Sequence, residues 1–214
     1  MKEKPSEPLD QSTARKLFST LIWIAVTVGI VIGTQAFLMQ PFQIPSGSML
    51  NTIKPGDRVM VGKLRLLWST PHIGQVLVFS PPQGSTPVTP QCGDNGGIGT
   101  QRICSKPLGG KSDQVEFIKR VVALGGDRVA LRQGVLWRNG KPVKEPYALP
   151  CNMPDRCNFP QEVIIPQGHV LMMGDNRENS DDGRFWGPIS EDWIAGPVVA
   201  QWWPLNRLGL GNPS

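Results

Sequence analysis

An uninterrupted apolar segment near the N-terminus, residues 17–39, constrains this chain more than any other feature. As a helix rising about 1.5 Å per residue, it would extend roughly 34 Å, enough to cross the hydrocarbon core of a bilayer. No Asp, Glu, Lys or Arg occurs between Lys16 and Lys54. We therefore predict a transmembrane helix over residues 17–39, followed by one extramembrane domain over residues 40–214.

The charges around this span predict its orientation. Arg15 and Lys16 stand directly before it, and no cation follows it closely. By the positive-inside rule, residues 1–16 form a cytoplasmic tail and residues 40–214 lie on the outer side of the membrane. A cleaved secretory signal is the alternative interpretation, because residues 34–36 (TQA) loosely fit a small-x-small site. The apolar regions of cleaved signals usually run about 7 to 15 residues, which favours a retained anchor.

Composition and charge narrow the range of partners. The net charge is +5 and the isoelectric point is near 9.2. The cations are scattered, and no basic helix or base-stacking aromatic motif accompanies them, so nucleic-acid binding is not predicted. Anionic lipid headgroups are a sufficient explanation for the excess positive charge. We expect the lipid bilayer as a partner and a monomeric protein.

Cys92, Cys104, Cys151 and Cys157 all follow the apolar span. On the outer side of a membrane, disulfides persist. None of the four cysteines forms a C-x-x-C pair, so a zinc site is not expected. Four cysteines allow three connectivities, and the short segment that Cys151 and Cys157 enclose favours that pair together with Cys92–Cys104.

The domain after the span is predicted to be mainly β. Segments rich in Val and Ile, separated by Gly, Pro or Asp, predict strands at 58–62, 75–79, 115–123, 128–131, 135–138, 163–165 and 170–173. Asn139-Gly140 predicts a hairpin, because both residues tolerate positive φ. Residues 81–114 contain five Pro and seven Gly, so we interpret them as a surface insertion.

Ser48 is the first candidate for chemistry, because it lies within nine residues of the end of the span. A serine needs a base to become a nucleophile. The chain has two histidines, His72 in a turn-like segment and His169 at the start of a strand. No G-x-S-x-G elbow is present, so a Ser-His-Asp triad is not favoured.

Lys119 is a better candidate for the base. Strand alternation over 115–123 places it on one face with Phe117 and Val121. Desolvation among apolar neighbours would lower its pKa and leave a neutral amine that accepts the Ser48 proton. The strand fits a second interpretation equally well, in which the amine reaches water and only the stem of Lys119 packs.

A polar segment over 174–184 (GDNRENSDDGR) directly follows the predicted strand 170–173. A calcium loop is rejected, because Arg177 stands where an oxygen ligand would be needed. Ser180 is then available to hydrogen-bond a lysine amine. Four charged residues, one of them outside this segment, are expected to form structural ion pairs near the site: Arg120, Asp175, Asp182 and Arg184.

Four segments in register resemble the boxes of bacterial type I signal peptidases. They read FQIPSGSM over 42–49, GDRV over 56–59, FIKR over 117–120 with GD at 126–127, and GDNR over 174–177 with Ser180, Asp182, Arg184 and Trp186-Gly187 after it. The resemblance runs from the apolar span to about residue 200. It implies a coiled β-sheet, signal-peptidase-like catalytic domain with one N-terminal transmembrane helix.

The resemblance also implies a mechanism. Ser48 would be the nucleophile and Lys119 the general base of a membrane-bound serine endopeptidase that removes signal peptides from exported preproteins through an acyl-enzyme. The Ser48 N–H and the Ser46 hydroxyl would form the oxyanion hole, and Ser180 would orient Lys119. No metal or cofactor is implied. The host membrane would be a plasma membrane or a thylakoid-type membrane.

Shallow apolar pockets would flank the dyad and admit only small side chains, which fits the preference for alanine-like residues at positions −1 and −3 that the resemblance implies. We predict these pocket residues: Phe42, Ile44, Pro45, Met49, Phe117 and Ile118. The sequence departs from the family pattern at Asn51, where proline is usual, and at Ala123 and Gly125, where glycine and proline are usual. These departures bear on loop rigidity and leave the proposed chemistry unchanged.

Two rival interpretations of this pattern exist. A self-cleaving, repressor-like protease would use the same Ser/Lys chemistry, but the anchor and the lack of a DNA-binding helix-turn-helix argue against it. A non-catalytic extracytoplasmic β module would keep the four boxes for folding only.

Overall fold

One long helix and a β-rich unit make up the structure, a computed structural model. The described residues are 11–63, 70–85, 92–111 and 115–211. The chain divides into two units, residues 1–39 and residues 40–214. In the first unit, helix α1 spans Gln11–Leu38. Its section Arg15–Gly33 is long and apolar enough to cross a membrane.

The bounds of α1 differ from the predicted span of 17–39. The helix begins earlier, at Gln11, and ends one residue sooner, at Leu38, because Met39 already belongs to strand β1. Pro41 accounts for this end. It disfavours the helical conformation at the residue before it and has no N–H with which to continue the helical hydrogen bonds.

Among the described residues after α1 there are twelve strands and two short α-helices. The strands are β1 Met39–Gln43, β2 Arg58–Gly62, β3 Val76–Phe79, β4 Phe117–Leu124, β5 Arg128–Arg132, β6 Val135–Arg138, β7 Lys141–Pro142, β8 Phe159–Ile164, β9 His169–Met173, β10 Ile189–Ser190, β11 Ile194–Trp203 and β12 Gly209–Leu210. Helix α2 spans Pro154–Cys157 and helix α3 spans Gly183–Trp186.

The strands form two sheets. The larger sheet has the order β1-β2-β11-β3-β4-β9-β10, with β12 beside β11, and the smaller has the order β7-β6-β5-β8. The pairings from β2 onward are antiparallel. Irregular registers in β4, β5 and β11 bend the strands, as bulges do, which gives the predicted curled, mainly β unit.

Every strand predicted from the sequence overlaps an observed strand; the largest difference is at β8, which spans Phe159–Ile164 where 163–165 was predicted. The hairpin at Asn139-Gly140 joins β6 to β7, and both residues have positive φ, 53° and 76°. The sequence analysis missed β11, although it lies between β2 and β3 in the larger sheet. Gly196 and Pro197 stand inside β11, and such residues argue against a central strand.

The core of the larger sheet explains where several predicted pocket residues lie. One buried cluster combines Ile44 and Met49 with β-strand residues such as Val59 and Ile118, and Phe42 packs against it. A second cluster contains Trp186, which is fully buried. The smaller sheet contributes to a third cluster, which also holds the buried Cys157.

The described part of the predicted insertion (81–114) is folded against the rest of the unit, and residues 86–91 and 112–114 lie outside the described residues. Cys92 pairs with Cys104 and Cys151 pairs with Cys157, as the sequence favoured. The Cys104 N–H donates to the carbonyl of Arg184 over 2.9 Å. The insertion is therefore joined to helix α3, close to the polar segment 174–184.

Candidate active site

Ser48 lies in a tight turn that follows β1, and the polar segment 174–184 holds this turn in place. The Asn176 N–H donates to the Ser48 carbonyl over 3.0 Å, and the Asn176 side chain donates to the Gly47 carbonyl over 3.1 Å. Ser48 is 6% exposed. Two regions that are distant in sequence therefore position the serine.

Lys119 reaches Ser48 from strand β4. Its Nζ lies 2.8 Å from Ser48 Oγ and 3.2 Å from the carbonyl oxygen of Ile118. Lys119 is 4% exposed, and its Nζ stands 5.2 Å from the centroid of the Phe117 ring. This burial excludes the alternative in which the amine reaches water.

Burial lowers the pKa of Lys119 from its ordinary value of 10.5 to about 8. Desolvation is the largest cause, because it penalises the charged ammonium. The carboxylates of Asp182 and Asp181 act in the opposite direction and limit the fall of this pKa. At a pH near 8, a substantial fraction of the lysine is therefore neutral and able to accept a proton.

Ser46 and Ser180 lie near the dyad in different environments. Ser46 is exposed, and its Oγ lies 3.4 Å from Ser48 Oγ. Ser180 is 1% exposed; its hydroxyl helps to lower the pKa of Asp182, and no hydrogen bond joins its Oγ to Lys119 among the described residues. The expected bond from Ser180 to Lys119 is therefore not formed in this structure, although Ser180 lines the same cavity as Lys119.

The predicted ion pairs are present and buried. Arg120 donates from Nε and Nη2 to the two carboxylate oxygens of Asp175, over 2.9 and 2.7 Å. Arg184 likewise donates to both oxygens of Asp182, over 2.8 and 2.9 Å. Burial alone would raise the pKa of Asp182, but Arg184 and the N–H of Gly174 stabilise the carboxylate and hold that pKa below its ordinary value.

The sequence analysis missed a third buried pair. Arg177 donates to both oxygens of Glu145, over 2.8 and 2.7 Å, and to the carbonyl of Gly174 over 2.9 Å. Tyr147 adds a further contact, because its ring centroid lies 3.9 Å from the Arg120 guanidinium carbon. Glu145 and Tyr147 lie in a polar connection with no periodic signal, so the sequence offered no reason to select them.

A cavity of about 880 Å³ opens beside the dyad and includes Ser46, Ser48, Lys119 and Ser180 in its lining. Of the predicted pocket residues, Pro45, Phe117 and Ile118 line it. The other three, Phe42, Ile44 and Met49, belong to or pack against the core cluster instead. The reason is that Ile44 and Met49 are 3% and 0% exposed, turned inward on either side of the exposed Pro45-Ser46 segment.

The two histidines, which the sequence did not favour as the base, lie away from the cavity. His72 is exposed, and a ring nitrogen of His169 lies 3.0 Å from the Gln167 carbonyl; neither histidine is among the residues that line the cavity. Cys92, Asp94 and Cys104 form a cluster of metal-binding residue types. Because the two cysteines are joined in a disulfide, they offer no thiolate ligands.

The family described as "Signal peptidase, peptidase S26" matches residues 17–203. This chain belongs to the signal peptidase family, peptidase S26. The match confirms the resemblance to type I signal peptidases that the four sequence segments indicated.

Several relatives support the assignment to the signal peptidase family over most of this chain. A probable signal peptidase I-1 of Synechocystis is 33% identical over 193 residues, covering 90% of this chain and 85% of the relative. Signal peptidase I of Leptolyngbya laminosa is 33% identical over 191 residues, covering 89% of this chain and 82% of the relative. Thylakoidal processing peptidase 1 of Arabidopsis thaliana is 32% identical, covering 86% of this chain and 47% of the relative.

A crystal structure of a signal peptidase I from Enterococcus faecalis aligns with this chain. The alignment covers 61% of this chain and 97% of the crystallised chain. The sequence identity is 21% and the TM-score is 0.38. The family assignment does not depend on this alignment.

Two departures from the usual family pattern have structural explanations. Asn51 has a φ of 86°, which proline cannot adopt, and its side chain donates to the Tyr147 carbonyl over 3.2 Å. At Gly125, a Cβ would stand 2.9 Å from the Cα of Gln167. The turns of this chain therefore use backbone conformations and contacts that exclude proline at both positions.

Proposed function

We propose that this chain is a serine endopeptidase that removes signal peptides from exported preproteins, with Ser48 as nucleophile and Lys119 as general base. The observation that carries the proposal is the 2.8 Å distance between Ser48 Oγ and a Lys119 Nζ that is almost completely buried. A buried amine with a pKa of about 8 is suited to accept a proton near neutral pH.

Acylation begins with proton transfer from Ser48 Oγ to the neutral Lys119 amine while Oγ attacks the scissile carbonyl. The resulting tetrahedral intermediate collapses, the peptide C–N bond breaks, and the Lys119 ammonium gives its proton to the departing amine. Water, deprotonated by the same lysine, then attacks the ester between Ser48 and the signal peptide. Hydrolysis releases the signal peptide and restores the hydroxyl of Ser48.

The oxyanion formed in these steps would be stabilised by the Ser48 N–H and by the Ser46 hydroxyl. The Ser46 Oγ is near enough to Ser48 Oγ, 3.4 Å, to reach the same reacting centre. One such donor is typically worth about 3 to 4 kcal/mol in the transition state. Ser180, buried beside the dyad, would orient the lysine amine when substrate fills the cavity.

Strand β4 offers an edge where an extended substrate can bind. β4 pairs with β3 over Phe117–Arg120, but its pairing with β9 begins only at Arg120. Backbone groups alternate sides along a strand, and those of Val121 bond to the Gly74-Gln75 segment, so the N–H and C=O of Ile118 point away from β3. A preprotein segment could add there as a further strand.

Specificity for small residues at −1 and −3 would come from the surfaces of Pro45, Phe117 and Ile118 beside the dyad. The apolar section Arg15–Gly33 would anchor the enzyme, with residues 1–16 in the cytoplasm and residues 40–214 outside. Confinement of enzyme and preprotein to one membrane raises their effective concentration. No metal or cofactor takes part, and the enzyme acts as a monomer.

Processing of a preprotein by the detergent-solubilised full chain tests this proposal. The wild-type protein should release a mature product whose new N-terminus follows a small residue. Ser48→Ala and Lys119→Ala should each abolish cleavage while leaving a folded protein, and Lys141→Ala, an exposed lysine on β7, is the matched control. Full activity in either dyad variant would exclude the proposed chemistry. Labelling of Ser48 by an acylating inhibitor would separate the enzyme from a non-catalytic β module.

A further inference from the structure

The insertion forms a second wall of the cavity. It is a different part of the sequence from the segments that carry Ser48 and Lys119. Four residues enclosed by the Cys92–Cys104 disulfide line the same cavity as Ser48 and Lys119: Asn95, Gly96, Ile98 and Thr100. We call residues 92–104 the disulfide loop. None of the four sequence segments that indicate the family includes this loop.

Contacts within the disulfide loop hold its shape. Asp94 accepts from Arg102 Nη1 over 2.8 Å, from the Gly96 N–H over 3.2 Å and from the Ser105 hydroxyl. The Arg102 guanidinium also donates to the carbonyl of Asp94. The loop is thus closed twice, by a disulfide and by an ion pair, so little conformational freedom remains to be lost when a ligand binds.

The disulfide loop is also joined to the element that neighbours the dyad. Cys104 donates its N–H to Arg184, whose guanidinium holds Asp182. Gly97 adopts a φ of 93°, and a Cβ there would lie 3.3 Å from the Phe185 carbonyl oxygen. The loop therefore packs closely on helix α3, and Phe185 itself lines the cavity.

Ile98 lies on this wall with 58% of its surface exposed. A large aliphatic side chain that faces a cavity from a restrained loop is suited to contact another apolar group. The cavity volume of about 880 Å³ is at the upper end of the roughly 300–1,000 Å³ usual for sites that enclose drug-sized ligands. Two alanine-sized side chains leave much of this volume empty.

We infer that the disulfide loop is a specificity wall, on which Ile98 contacts an apolar side chain of the preprotein at a position other than −1 or −3. The small residues belong beside Pro45, Phe117 and Ile118, whereas Ile98 comes from a different segment of the lining. The inference rests on the proposed function, because the occupant of the cavity is the preprotein. It extends that function from two small residues to a third, apolar determinant.

A set of peptide substrates tests the inference. All peptides keep alanine at −1 and −3, and at each other position flanking the scissile bond one peptide carries leucine and its counterpart serine. We expect wild-type protein to prefer leucine at one position or at two adjacent positions. Ile98→Ser should reduce that preference about tenfold, as expected for loss of contact with a few methylene groups, and should leave the serine peptides unaffected.

The matched control is Ile164→Ser. Ile164 on β8 is 59% exposed, almost as much as Ile98, and is not among the cavity-lining residues. Thermal unfolding checks that both variants fold. If Ile98→Ser does not fold, Ile98→Ala is used in its place. The inference is wrong, and the proposed function is unaffected, if the Ile98 and Ile164 variants change the leucine preference equally. The same holds if Ile98→Ser changes the cleavage of all peptides to the same extent. If wild-type protein cleaves no peptide, or Ser48→Ala cleaves them, both the inference and the proposed function are wrong.

Discussion

Gly174 lies so close to Ser180 that a Cβ added at position 174 would stand 2.2 Å from Ser180 Oγ. The same Cβ would stand 2.5 Å from the carbonyl oxygen of Ser48. Both separations are shorter than a carbon atom tolerates. Because Gly174 has no side chain, the turn that carries Ser48 can approach the polar segment 174–184.

Replacement of Gly174 by alanine should disrupt this approach. We expect Gly174→Ala to destabilise the protein by about 1–3 kcal/mol, as overpacking does, and to lower kcat/KM by about 100-fold through displacement of Ser48. Gly110→Ala is the control, because nothing lies within 4 Å of a Cβ there. Equal processing rates for the two variants would contradict the role assigned to Gly174.

The activity of the wild-type protein should depend on pH through Lys119. Protonated Lys119 cannot accept the Ser48 proton, so kcat/KM should rise with pH through a midpoint near the pKa of about 8. A pH series of initial cleavage rates at low substrate concentration measures this midpoint. A profile that is flat from neutral to mildly alkaline pH would show that a different group acts as the base.

The same burial should make stability depend on pH. The folded-state pKa of Lys119, about 8, lies below its ordinary value of 10.5, so between these values the unfolded chain binds more protons. The free energy of unfolding should therefore rise with pH across this window. Lys119→Met should be more stable than wild type by roughly 3 kcal/mol at neutral pH and should lack this contribution to the slope. Urea unfolding followed by tryptophan fluorescence provides the measurement.

The buried pair of Arg120 and Asp175 should be far more important for stability than a surface pair. Asp175→Ala leaves the Arg120 charge without its buried partner, which typically costs about 3–5 kcal/mol. The control pair is Arg132–Glu162, 3.7 Å apart and 41% and 35% exposed, where Glu162→Ala should change stability by less than about 1 kcal/mol. Similar unfolding midpoints for the two variants would contradict this ranking.

The two disulfides should differ in their effect on catalysis. Loss of either bridge, by paired substitution to serine, should reduce stability by about 2–4 kcal/mol. Cys92→Ser/Cys104→Ser should raise KM for peptide substrates more than Cys151→Ser/Cys157→Ser does, because the first bridge encloses four cavity-lining residues and the second encloses only Arg156. Cys151→Ser/Cys157→Ser is the matched control at a temperature where both variants remain folded. A KM increase of the same size in both variants would show a general loss of structure instead.

Much of the site was predictable because its residues carry local signals. Lys119 stands in an apolar strand whose alternation fits a buried amine and a solvent-reaching amine equally well, and the resemblance to signal peptidases favoured the buried one. Asp175 and Asp182 follow a buried strand, so their charges need partners. β11 was not predictable, because Gly196 and Pro197 weaken its strand pattern and only pairing with β2 and β3 stabilises it. The participation of the insertion was equally hidden. Its disulfide was favoured by the cysteine pattern, but its ion pair and its contact with Arg184 are tertiary features without any sequence periodicity.

The placement of the disulfide loop has an evolutionary consequence. Ser48 lies in the β1–β2 connection and Lys119 on β4, whereas this part of the cavity lining comes from a glycine- and proline-rich insertion between β3 and β4. Under the proposed function, mutations in the insertion would change which preproteins are accepted without disturbing proton transfer. Related proteins with the same chemistry would then differ in the preproteins they cleave through changes in this one segment.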